Sequence, residues 1–158
     1  SIFLLPSIFY QRYLLPKLFF SYNHKRNSFF KMYQKSWIYI FILSSFFVIL
    51  LFFANSWIAD VLLRGKYIGI EPLLLLLTLS IPIHLFIINV DAFITASHME
   101  RYKAIYMSIT VIINILFNLI LIPYYGYFGA AAATIISEVV LLGLYLNRFR
   151  ILRICTDD

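Results

Sequence analysis

The chain has 158 residues, of which 63% are hydrophobic and only 13% charged, with a mean hydropathy of +0.89. A water-soluble domain averages about 45–50% apolar and about 25% charged residues, and one of this size could not bury so much apolar side chain, so lipid is the natural solvent for the excess. The net charge of +6 could mark a nucleic-acid binder, but in a membrane chain basic residues belong in loops that face the cytoplasm and anionic lipid, which is the reading adopted.

A spanning helix requires about 20 mainly apolar residues. The chain opens at Ser1 with an apolar run already under way at Ile2–Pro6, where a signal peptide would first show a charged region. That start reads as the interior of a longer protein, and residues 1–20 as the end of an incomplete span that fades at Arg12 and Lys17. Four complete spans follow. Span 37–57 is uncharged, span 72–96 is interrupted by His84 and Asp91, span 104–122 is uncharged, and span 127–147 contains Glu138. Residues 148–158 form a polar tail with the look of a natural terminus. Only helices and closed barrels satisfy the backbone in lipid, and continuous apolar runs such as Leu73–Leu77 and Phe46–Phe53 do not alternate as barrel strands must. The fold class is all-α, a polytopic transmembrane helix bundle of four complete spans plus the end of a fifth.

Loop charge sets direction. Arg12, Lys17, Lys25, Arg26, Lys31 and Lys35 precede the first complete span with no acid among them. Arg64 and Lys66 are offset by Asp60 and Glu71 in the next loop, Arg101 and Lys103 follow, Pro123–Phe128 is uncharged, and Arg148, Arg150 and Arg153 lie in the tail. Basic excess on alternate loops is the positive-inside pattern, and it puts the carboxy terminus in the cytoplasm. Trp37, Trp57, Tyr124, Tyr127 and Tyr145 gather near span ends as an interfacial belt would, although an apolar, aromatic-rich composition produces the same clustering.

Polar groups inside spans are costly and usually face a bundle interior or an aqueous cavity. Ser80, His84, Asp91 and Thr95 fall within a sector of about 60° on one helical face, and His98 and Tyr102 are expected to extend it. A cavity or pathway lining is the preferred reading of this stripe, with snorkelling at the cytoplasmic end a sufficient explanation of Asp91 alone. Thr110, Asn114 and Asn118 repeat every four residues on another face, where interhelical hydrogen bonding is favoured over a pathway role. Gly129, Ala133 and Ser137 form a small-residue face suited to close helix packing. Glu138, near mid-span, costs about 2.5–3.5 kcal/mol there unless paired, protonated or hydrated, and is the best single candidate for an ion, proton or substrate role.

No metal or cofactor site is expected. Cys155 is the single cysteine, and His24, His84 and His98 form no ligand motif. The chain contains no P-loop, G-x-S-x-G, H-E-x-x-H or G-x-G-x-x-G pattern, so it is not expected to be an enzyme, and any transport must draw on an ion gradient, the membrane potential or a partner.

The stretch NILFNLILIPYYGYFGAAAATIISEVV (Asn114–Val140) resembles the polysaccharide-repeat, O-antigen-type flippases and exporters of the MATE-like superfamily: an Asn-rich apolar helix, a Pro-x-x-Gly turn, then a Gly-Ala-Ala-x-Ala-Thr run. VLLRGKYIGIEPLLLL (Val61–Leu76) and LLPSIFYQRYLLPKL (Leu4–Leu18) are similar to earlier segments of that family, in consistent order. The resemblance implies the carboxy-terminal lobe of a two-lobed transporter in the bacterial inner membrane, working by lobe-against-lobe rocking with an amino-terminal lobe of the same chain. It also implies a substrate, an undecaprenyl-diphosphate-linked oligosaccharide flipped from the cytoplasmic to the outer leaflet, and a cationic cavity for the diphosphate. Because the predicted complete spans contain no Lys or Arg, Arg12 is the expected contributor. The alternatives are a multidrug or metabolite cation antiporter of the same superfamily, whose acidic ion site Glu138 or Asp91 would supply, and a non-transporting scaffold or glycan polymerase. Short outer loops argue against the polymerase.

The topology is directly testable. In full-length protein with Cys155 replaced by Ser, single cysteines placed in 60–71 or 123–128 are expected to react with an impermeant thiol reagent from outside the cell, and those in 23–28 or 98–103 are not. Labelling of the opposite set reverses the orientation.

Overall fold

The computed structural model describes residues 5–24, 26–62 and 71–157, with side chains described for all of these except 5–12, 14, 26, 54–62, 71, 72, 74 and 153–157. Five helices run in order: α1 (Leu5–His24), α2 (Arg26–Leu62), α3 (Glu71–Ala96), α4 (Glu100–Tyr125) and α5 (Tyr127–Asp157). No strand occurs among the described residues. Four helices are long and apolar enough to cross a membrane, over Asn27–Phe53, Leu75–Ala96, Glu100–Tyr125 and Tyr127–Leu152. The protein is a multi-pass, all-α membrane bundle.

The helices outrun the predicted spans. A helix of 26 residues such as α4 reaches about 39 Å, whereas the hydrocarbon layer is about 30 Å thick. Hydropathy registers the lipid-immersed part, while hydrogen bonding along the backbone continues into the headgroup region. Lys31 and Lys35 therefore lie in the first spanning helix, Arg101 and Lys103 in the third and Arg148 and Arg150 in the fourth, all beyond the apolar spans read from the sequence. The polar tail likewise continues α5 as helix to Asp157.

Successive helices are antiparallel, and α3 packs against all four others. Its neighbours meet it in register: Trp37 of α2 stacks on Phe86 at 5.0 Å, and Asn89 donates to the Ser36 hydroxyl at 3.0 Å. This up-and-down arrangement gathers Lys17, Lys31, Lys35, Arg101, Lys103, Arg148 and Arg150 at one end of the bundle, called the basic end here.

The core sits near that end. Leu18, Phe29, Ala92, Phe93, Ala96, Phe149 and Leu152 form one buried cluster, and Ile87, Val90, Ile94 and Tyr145 another. Phe29 meets Phe93 edge-on at 5.2 Å, and Tyr33 lies 4.1 Å from Phe149 and 5.1 Å from Phe93, joining α2, α3 and α5 through ring contacts. Each such aromatic pair contributes about 0.5–1.5 kcal/mol beyond area burial. Tyr145, expected in the interfacial belt, is 1% exposed and belongs to this core, whereas Tyr124 and Tyr127 at the opposite end are exposed.

The two turns described explain where α3 and α4 stop. After Ala96, His98 adopts a left-handed conformation (φ 59°), Met99 N–H bonds Ile94 O at 3.3 Å and His98 N–H bonds Thr95 O at 3.1 Å. That pair of bonds is a Schellman closure, and Met99 completes it by packing on the cluster that holds Ile94. His98 then turns toward α1, its ring 5.4 Å from Phe19, and Tyr102 falls on α4. The polar stripe of α3 thus ends at Thr95, correcting its expected extension through His98 and Tyr102. The α4–α5 turn is a single residue, Gly126, with φ 57°, a region where glycine meets no Cβ penalty.

Close packing joins α4 to α5. A Cβ built on Gly129 would collide with the Leu121 carbonyl and lie 3.0 Å from Ile122 N, and Ala131, Ala133 and Ser137 are buried along the helix that follows. Gly143, by contrast, has nothing within 4 Å of a built Cβ. Gly129→Val is expected to destabilise the folded protein by about 1–3 kcal/mol through overpacking, whereas Gly143→Ala is expected to be neutral or to stabilise it by about 0.5–1 kcal/mol through helix propensity. Thermal unfolding in a fixed detergent checks both, and equal melting temperatures for the two variants would contradict the packing account.

Candidate functional site: polar layers between α3, α4 and α5

Mid-height in the bundle, the helices that carry the polar residues turn them toward one another. His84 sits near the middle of α3 and Glu138 near the middle of α5, and the imidazole Nδ1 lies 3.2 Å from the Glu138 carboxylate Oε1. The residue before Glu138, Ser137, donates to Ala133 O at 2.7 Å and accepts from Asn114 Nδ2 of α4 at 3.2 Å. Asn118, one turn away, donates to the Asn114 side-chain oxygen at 2.9 Å. Asn118, Asn114, Ser137, Glu138 and His84 thus run as one polar layer across three membrane-spanning helices.

The layer forms where it does because of helical spacing. Asn114 and Asn118 are one turn apart on α4, and the buried Gly129–Ala133–Ser137 face of α5 brings that helix close enough for a short amide to reach a hydroxyl. Glu138, the next residue round α5, faces α3 rather than α4. Its second oxygen, Oε2, is buried without a hydrogen-bond partner. A buried polar oxygen without a partner is costly, so this atom has room for a further donor.

A second layer lies two turns nearer the basic end. Lys103 of α4 reaches back to Asp91 of α3 at 2.8 Å and to the Thr95 hydroxyl at 3.4 Å. Asp91 Oδ1 is buried without a partner, and the Tyr145 hydroxyl is buried beside Asp91 without a well-formed hydrogen bond. Arg148 of α5 lays its guanidinium 3.6 Å over the Tyr102 ring, a cation–π contact of about 0.5–2 kcal/mol.

The expected stripe on α3 is therefore divided between partners: His84 faces α5 and Asp91 faces α4. Thr95 joins Asp91, while Ser80 bonds its own backbone at Leu77 O, 2.7 Å away. Asn114 meets α5, and Asn118 stays within α4. Arg12 falls on α1, but its side chain lies outside the described residues, as does the loop between α2 and α3. Sequence reasoning missed Lys103 as the Asp91 partner and Ser137 as the Asn114 partner. The first is separated from its partner by a turn whose geometry periodicity does not reveal, and the second was absorbed into the small-residue face. Among the described residues no group of His, Cys, Asp and Glu is arranged to hold a metal ion.

The class these features define is a multi-pass helical membrane protein with a half-buried polar layer linking three spans. No protein-family model, curated protein or solved structure matches the chain.

The Asp91–Lys103 pair ties α3 to α4, with the Asp91 side chain 16% exposed and that of Lys103 28% exposed. Lys103→Met leaves the acid unpaired and is expected to cost about 1–3 kcal/mol. In an Asp91→Asn/Lys103→Met cycle the double variant should lose less than the sum of the singles by about 1 kcal/mol. Strict additivity in denaturant or thermal unfolding would show that the pair is not coupled.

Proposed function

We propose that this chain is a lobe of a membrane transporter that moves an undecaprenyl-diphosphate-linked oligosaccharide, a polysaccharide repeat unit, across a bacterial inner membrane. The observation that carries the transport reading is the polar layer His84–Glu138–Ser137–Asn114 at mid-height of helices otherwise built for lipid. Polar groups at that depth are expensive and mark pathways or coupling sites. The substrate class rests on the Asn114–Val140 resemblance, supported by the one-residue Gly126 turn and the close α4–α5 packing that its Pro-x-x-Gly and Gly-Ala segments form.

The chemistry of the cargo fits a bundle of this kind. A glycan diphosphate headgroup needs a hydrated route past polar side chains, while its polyprenyl tail stays in lipid beside exposed apolar helix faces such as those of α2 and α4. In this reading a second lobe completes the cavity, the substrate and membrane lipids are the partners, and the basic end faces the cytoplasm by the positive-inside rule. Arg148 and Lys103 stand at that end as cations for an anionic headgroup. The compact His84–Glu138 pair also suits a multidrug or metabolite cation antiporter, which is the second reading.

Deletion of the full-length gene is expected to abolish a surface polysaccharide and leave its lipid-linked repeat unit in the cytoplasmic leaflet. Unchanged polysaccharide with greater sensitivity to cationic drugs would replace the flippase with the antiporter. In the restored gene, Glu138→Gln is expected to impair transport more than Asn114→Ala, because it alters a titratable group where the other removes a packing amide. Wild-type activity in both variants would reduce the two residues to packing features.

A further inference from the structure

The His84–Glu138 contact has a chemistry of its own. It joins a single carboxylate to a single imidazole, with Nδ1 and Oε1 at 3.2 Å. A sodium or other hard cation would require several oxygen ligands converging on one point, and here one carboxylate oxygen is engaged by a nitrogen while the other points into buried space. The group that such a pair accommodates is a proton.

We propose that His84 and Glu138 form a one-proton site, and that loading and unloading of that proton is coupled to the transport cycle. The coupling rests on the transporter reading above, while the site itself does not. With neutral imidazole and ionised carboxylate the pair carries one negative charge. Adding one proton from water makes it neutral overall, either as imidazolium with carboxylate or as imidazole with carboxylic acid. Adding a second makes it cationic. In a mid-membrane layer the overall neutral, singly loaded form is favoured, because an uncompensated charge at that depth is disfavoured in either sign. Release of the proton returns it to water and leaves an uncompensated carboxylate that must be hydrated.

The pair is not sealed inside the described bundle. The His84 side chain is 45% exposed and that of Glu138 20%, so the pair has a face that the described residues do not cover. On α3, Asp91 is the nearest other titratable group, two turns away and held by Lys103 of α4. On α5, Tyr145 lies at the height of Asp91. From α4 the layer receives the neutral amides Asn114, through Ser137, and Asn118, and α2 presents neutral Ser36, Trp37, Ile40 and Ser44 along this stretch. Among the described residues no fixed cation sits beside Glu138 to hold it ionised, so His84 is its only charge partner. Because the two groups lie on different helices, the proton count sets the strength of the α3–α5 tie, and through adjacent Ser137 it borders the α4–α5 tie as well.

The test uses full-length protein in lipid nanodiscs and infrared difference spectra between alkaline and acidic buffer. A protonated-carboxyl band is expected, lost in Glu138→Gln, shifted in frequency or midpoint in His84→Gln, and retained in Asp91→Asn. Glu138→Asp, which keeps the acid, should keep a band and guards against loss of the signal through misfolding of the Gln variant. A band indifferent to Glu138→Gln, or one that sodium removes at constant pH, overturns the proton site. In proteoliposomes, an imposed proton gradient should accelerate movement of the lipid-linked oligosaccharide, and Glu138→Gln should lose that response. Gradient-independent transport by the unaltered protein overturns the coupling. An intact band with no movement of the oligosaccharide under any gradient instead sinks the flippase reading and leaves the proton site standing.

Discussion

A carboxylate in the middle of a membrane-spanning helix must find a partner, and the middle of this bundle is organised around that requirement. Insertion of an unpaired acid at mid-span costs about 2.5–3.5 kcal/mol, a substantial part of a domain's net stability of about 5–15 kcal/mol. Glu138 meets the requirement with His84, which fixes how α5 is rotated against α3. Once α5 is so rotated, its small-residue face with buried Ala133 and Ser137 is turned to α4, and Asn114 can reach Ser137. One electrostatic constraint thus orients three helices.

Lipid supplies no hydrophobic drive between helices, so association depends on packing and hydrogen bonds. The bundle separates these by height. Near the basic end, interlocked rings of Phe29, Tyr33, Phe93 and Phe149 hold α2, α3 and α5 together with many small dispersion contacts. At the opposite end lies the α4–α5 turn, where Gly126 permits a one-residue connection and Gly129 lets the backbones approach. The polar layers lie between these regimes. Position along the membrane normal therefore decides which kind of interaction each helix can use.

Much of this is legible in the sequence because the bilayer imposes a length scale. Uninterrupted apolar runs locate α2 to α5, and the cost of intramembrane polarity by itself singles out His84, Asp91, Asn114 and Glu138. What periodicity cannot supply is a partner on another helix. His84 and Glu138 are 54 residues apart, and only the register of α3 against α5 joins them. The same limit makes one α3 stripe out of residues that serve two neighbours. Helix ends escape hydropathy for a different reason: it falls at the lipid boundary, whereas α2 and α5 continue past it. His98 shows a third limit, since its left-handed conformation is a position usually given to glycine or asparagine and nothing in its side chain announces it. Tyr145 has the residue type and position of an interfacial anchor, yet aromatic packing against Tyr106 draws it into the core.

The two polar ties of α3 differ in chemistry and in height along the bundle. Asp91 with Lys103 joins a carboxylate to an ammonium at 2.8 Å, a charge-assisted tie to α4. His84 with Glu138 joins a carboxylate to an imidazole at 3.2 Å, a tie to α5 made by a single ring nitrogen. The α4–α5 hairpin is held together by the Gly129 approach and anchored to α3 near the basic end by Lys103 and by the Tyr145 and Phe149 contacts. The two ties and the aromatic packing thus hold α3 to the hairpin by different chemistry at different heights.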